Sequence, residues 1–90
     1  MSEGARVSAI SPRHAAFGVA LCELRTERGL TQEALGELAG ISGNYVGDTE
    51  RGERNVSLRI IWGLADAMEL SATEILQLAE LKLTVGAALS

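Results

Sequence analysis

Residues 31–50 read TQEALGELAGISGNYVGDTE, and their punctuation decides the fold. Thr31 stands where a helix N-cap belongs, its hydroxyl able to accept an amide N–H of the next turn. Glu33 adds a negative charge near the positive end of that helix. Leu35, Leu38 and Ala39 form an apolar stripe at helical spacing, and Gly40 ends the helix. Ile41 follows as an apolar plug. Ser42 then caps another helix, with Tyr45, Val46 and Thr49 as its inward face and Arg51-Gly52 as its stop. Two short helices therefore meet across about three residues.

Outward from this corner the pattern stays helical. Upstream, Phe17, Ala20, Leu21 and Leu24 recur at i, i+3, i+4 and i+7, and Gly29 follows Arg28 as a C-cap would. The first helix is expected to begin near Arg13 or His14, behind a loose arm of residues 1–13 that mixes Ser, Gly, Arg and Ala without period. Downstream, Ser57 caps a fourth helix with Leu58, Ile61, Trp62, Leu64, Ala65 and Met68 inward. Ser71 and Glu74 make a capping box that opens a fifth helix at Ala72. No strand pattern or repeat appears, so the fold class is all-α, with five short helices in one domain over residues 14–78 and a tail over 79–90.

Composition narrows the function classes. Only Phe17, Tyr45 and Trp62 are aromatic, so aliphatic residues carry the core. Apolar runs are interrupted by charges well short of the roughly 20 residues a membrane span needs, and the start of the chain lacks a secretory pattern, so a cytoplasmic location is expected. A lone Cys22 forms no internal disulfide and no familiar metal spacing; it reads as inert, and His14 as a histidine in a flexible region. Paired carboxylates beside an activating group, a nucleophile with its base and a phosphate-binding glycine loop are all missing, so no enzyme, catalytic residue, metal or other cofactor is expected. There is no spare chain for a small-molecule effector domain. A net charge of −4 argues against a nucleic-acid binder, unless basic residues gather on one face.

The stretch from Phe17 to Leu76, with ELRTERGLTQEALGELAGIS, a Tyr-Val helix closing on ERG, then N-x-S-L, LADAM and S-x-x-E-I-L, resembles the Cro/C1-type (XRE) helix-turn-helix family. The resemblance implies a phage-repressor-like domain that regulates transcription by binding specific double-stranded DNA. In it the third helix, about residues 43–50, enters the major groove while the second crosses the backbone. It places Gln32 against a phosphate at a helix N-terminus, beside the cap residues Thr31 and Ser42. Bases are then read from Gly43, Asn44, Gly47 and Asp48. Asn44 can pair an adenine edge with donor and acceptor together; Arg51 and Arg54 suit phosphates or a groove edge, or are ordinary solvated charge. The resemblance further implies a partly buried ion pair, Arg25 with Glu50, that is structural. A restriction-modification controller, a phage-type repressor and a general small regulator all share this layout.

Several positions depart from the family pattern. Gly43 and Gly47 bring no donors, Asp48 is negative where DNA is negative, Thr49 replaces an aliphatic residue, and Val56 replaces a frequent proline. Two readings stay open: a reader with sparse base contacts that leans on phosphates and DNA shape, or a scaffold with weak or lost DNA binding that acts as a protein-interaction module, an antitoxin or adaptor. The run ILQLAELKLTV (75–85) holds more apolar side chains than one buried face accommodates. Either it folds over its own core or, the preferred reading, the fifth helix and tail form a homodimer matched to two half-sites. Glycines 18, 36, 43, 47 and 63, all inside helices, point to marginal monomer stability.

Overall fold

The computed structural model describes residues 9–89. Five helices follow one another: α1 (Pro12–Glu27), α2 (Gln32–Ala39), α3 (Gly43–Glu50), α4 (Leu58–Ala67) and α5 (Ala72–Leu89), with no strand among the described residues. Hydroxyl caps set the starts. The side chains of Ser11, Thr31, Ser42 and Ser57 accept the backbone N–H of His14, Ala34, Tyr45 and Ile60 at 3.0–3.2 Å. At α5, Ser71 and Glu74 exchange bonds of 3.1 and 2.8 Å, satisfying two otherwise orphan donors.

The chain is held earlier than the sequence suggests. Residues 1–8 of the expected arm lie outside the described residues. Ile10 donates its N–H to the Gly52 carbonyl at 2.8 Å, so the segment before α1 is docked on the turn after α3. Proline then occupies the first turn of α1, where its missing N–H costs nothing. His14 is engaged as well: its ring nitrogens lie 2.7 Å from Ser11 Oγ and 3.0 Å from Asn55 Oδ1.

The core gathers Phe17, Ala20, Leu21, Leu35, Val46, Leu64, Ala65, Met68, Ile75 and Ala79 from all five helices. Each fully buried Leu or Ile in it contributes about 1.5–3 kcal/mol. α1 packs most extensively on α5, while α2 is shared between α3 and α4. Three residues expected inward are not: Leu38 is 61%, Leu58 67% and Trp62 56% exposed. Helical geometry explains the difference. On α4 the side chains of Ile61, Leu64, Ala65 and Met68 fall within an arc of about 100°, which α2 and α5 cover, whereas Leu58 and Trp62 project beyond its edge. On α2 the covered arc is Gln32, Leu35, Gly36 and Ala39, and Leu38 lies well to one side.

The tail is also different. Beyond residue 78 the chain continues α5 to Leu89, tied to α1 by Lys82 and Glu23 at 2.6 Å.

Glycines inside helices serve as contact points. A Cβ on Gly18 would lie 2.2 Å from the Glu50 carbonyl oxygen, and one on Gly36 2.6 Å from that of Ile41. These contacts let α1 rest on the end of α3 and let α2 fold tightly onto the turn that follows it. Gly40 makes that turn, with φ of +80° and its N–H bonded to the Gly36 carbonyl, a conformation that favours glycine.

Candidate nucleic-acid interface

The corner from Thr31 to Glu50 is locked from beneath. Arg25, on α1, donates through Nε to Glu50 Oε2 at 2.6 Å and through Nη2 to Oε1 at 3.1 Å, a two-pronged carboxylate pair. Its Nη1 reaches the Leu30 carbonyl at 2.7 Å, joining α1, the α1–α2 turn and the end of α3. The side chains are only 12% and 7% exposed, so each charge depends on the other. The hydrogen bond to Glu50 is the main cause holding the Arg25 guanidinium above its ordinary pKa, outweighing desolvation. A raised cation contributes stability below its ordinary pKa and loses it only as pH climbs through the raised value, so on the arginine side the pair is intact across neutral pH.

Gln32 joins the same network. Its Nε2 donates to Glu50 Oε1 at 2.9 Å, which lays the side chain along α3. Gly47 makes the space: a Cβ there would sit 3.2 Å from Gln32 Oε1 and 3.5 Å from Arg51 Nη1. Gly47 is therefore buried beneath two polar side chains, where the sequence suggests an open face. Gly43 has a similar part, since its missing Cβ would come within 3.1 Å of Glu33 Cα. Thr49 is 2% exposed and donates its hydroxyl to the Tyr45 carbonyl at 2.8 Å, which satisfies a hydroxyl placed in an aliphatic position.

The outward surface carries Ser42, Asn44, Asp48, Arg51 and Arg54, with Asn44 exposed in the first turn of α3. Asp48 is ion-paired to Arg51 and also to Arg54, whose Nη2 lies 3.3 Å from Oδ2. Arg51 has a second carboxylate partner, Glu53, at 3.2 Å. The Arg54 guanidinium lies over the Tyr45 ring, 4.5 Å from its centroid, an arrangement of cation and ring quadrupole. Tyr45, expected inward, is half-buried and supports this arginine. The sequence does not announce the Asp48 clamp. Its Arg51 arm follows i,i+3 helical spacing, but the Arg54 arm depends on the path of the loop beyond α3. Among the described residues, Arg13 and Arg59, each in the first turn of its helix, are the basic side chains without a carboxylate partner.

The family described as "Helix-turn-helix domain" matches residues 16–78 of this chain. An HTH-type transcriptional regulator of Sinorhizobium fredii, y4dJ, is 38% identical over 58 residues, spanning 64% of this chain and 75% of that protein. Among solved structures, the restriction-modification controller protein C.AhdI of Aeromonas hydrophila is 49% identical, with a TM-score of 0.67 over 68% of this chain and 92% of its own. The clp gene regulator ClgR of Corynebacterium glutamicum superposes with a TM-score of 0.82 at 29% identity, covering 84% of this chain and 81% of its own. With its capped corner, its Arg25–Glu50 lock and this match over most of its length, the chain belongs to the helix-turn-helix domain family, as a Cro/C1-type DNA-binding transcriptional regulator.

Proposed function

We propose that the protein acts as a homodimer that inserts α3 of each subunit into successive major grooves of a two-part operator. The observation that carries this reading is the rigid α2–Gly40–α3 corner, held by Arg25, Glu50 and Gln32, with Asn44, Asp48, Arg51 and Arg54 on its outer side. Asn44 reads an adenine edge through its donor and acceptor. The α2 N-terminus at Thr31 and Gln32, the cap residue Ser42, and Arg51 and Arg54 meet phosphates or a groove edge. Gly43, in the first turn of α3, lets backbone come close to the DNA, whereas buried Gly47 contributes by seating Gln32 and Arg51 over α3. Exposed Leu81 and Val85, four residues apart on one flank of α5, with Val19 of α1 beside them, supply the surface for a second copy.

On this reading the protein is a cytoplasmic regulator without catalysis, controlled by concentration and assembly. No described helix is long and apolar enough to cross a membrane. The test is titration of the DNA upstream of its own gene, and of a scrambled duplex, across a salt series. With about six phosphate contacts per dimer, affinity should fall on the order of a thousandfold between about 50 and 200 mM salt. Asn44→Ala should relax preference at one base pair by about 10- to 100-fold. Absence of salt-dependent binding to any duplex overturns the reading in favour of a protein-interaction module.

A further inference from the structure

Every arginine expected to meet DNA beside the recognition helix is already held by a carboxylate of the same chain. Asp48 grips Arg51 with one oxygen and Arg54 with the other, and Glu53 takes the Nε of Arg51. These two guanidinium groups and two carboxylates sum to no net charge at the surface that DNA approaches. The arginine side chains are 58% and 47% exposed, and Arg54 meets Asp48 only at 3.3 and 3.4 Å. Such exposed pairs are weak and readily exchanged for another partner. Asp48 itself sits on α3, one helical turn beyond Asn44.

We infer that Asp48 is a specificity-determining residue that acts as an exchangeable counter-charge for Arg51 and Arg54; the inference rests on the DNA-binding reading above. When the arginines leave for phosphates, Asp48 faces the groove without a partner. A base edge that offers a donor there, such as the amino group of cytosine, takes the place of the guanidinium. Any other sequence brings a bare carboxylate against DNA, which costs affinity. Random DNA is held weakly for this reason, and the gap between operator and random sequence widens. The net charge of −4 acts in the same direction. Tyr45 keeps Arg54 within reach of both partners, since the ring face holds the guanidinium in place whichever acceptor it uses.

The test uses the full chain and its Asp48→Asn and Asp48→Glu variants, with fluorescence anisotropy on the upstream duplex and a scrambled duplex over a salt series. Asp48→Asn should bind the scrambled duplex about 3- to 10-fold more tightly at low salt, gain less or lose on the upstream duplex, and so narrow the ratio between them. Asp48→Glu, which keeps the charge, should retain most of the wild-type ratio. Thermal unfolding checks that α3 is intact, and Asp48→Ser makes the same charge change should the asparagine variant fail to fold. An unchanged ratio in the charge-removing variant, or a glutamate variant that behaves like it, overturns the inference. Wild-type protein with no salt-dependent binding would instead remove the DNA-binding reading, and that result is seen before any variant is made.

Discussion

Gly18 shows how much rests on one missing atom. It lies in the middle of α1, where glycine ordinarily weakens a helix by about 1 kcal/mol relative to alanine. Helix propensity alone would make Gly18→Ala a stabilising change. The Glu50 carbonyl, 2.2 Å from where the new Cβ would stand, reverses the sign, because backbone cannot move aside as a flexible side chain can. Gly18→Ala should therefore destabilise the protein by about 1–3 kcal/mol, or more if α1 is pushed off α3, read as a lower midpoint in urea with an unchanged slope. A midpoint equal to or above wild type would show that α1 has room to shift. The same displacement would strain the Arg25–Glu50 bonds, which join the same two helices.

At the level of elements, the caps were open to prediction and the packed faces were only partly so. A serine or threonine followed three residues later by the amide it accepts is a local relation, and Thr31, Ser42, Ser57 and Ser71 all read correctly for that reason. Which side of a helix is covered depends on its neighbours. Leu58 and Trp62 fit an i,i+4 stripe as well as Ile61 and Ala65 do, and only the direction from which α2 and α5 approach separates them. The end of α4 holds another such feature. Glu69 has a φ of +60° in the turn into α5, where glycine is the usual occupant. Glu69→Gly should raise stability by about 0.5–1 kcal/mol, as left-handed strain at a non-glycine residue is removed. A loss of stability on thermal unfolding would show that the glutamate makes a compensating contact.

Over the whole molecule, α5 shows more large apolar side chains to solvent than any other helix among the described residues. It runs for 18 residues, one side buried through Ile75 and Ala79, with Leu81 and Val85 exposed on one flank and Leu76, half a turn round from Val85, exposed on the other. Val19 on α1 is exposed beside it, and Val19 and Val85 line one groove with Pro12, Ala15 and Leu83. An apolar face of this kind on a 9.5 kDa protein is expected to be covered by a second copy. Sedimentation at micromolar concentration should give twice that mass, and Leu81→Glu should give monomer with its helical circular dichroism retained. Wild-type protein that sediments only as monomer would overturn the dimer. Affinity for a single half-site should then be all that remains of DNA binding.

The amino-acid sequence by itself determined the number and order of the helices, the caps that begin four of them, the corner from Thr31 to Glu50 and the family to which it belongs, because these follow from relations within a few residues or from a long run of matched spacings. It also paired Arg25 with Glu50 through the family resemblance. What only the tertiary structure decided is how the outer face is charged and how the glycines are used. Gly18 meets a carbonyl from a residue 32 positions away, Gly47 lies under the side chain of Gln32, and Asp48 closes on Arg54 across the turn at Gly52. Contacts of this kind depend on where separate helices end up in space. Local spacing carries no record of that.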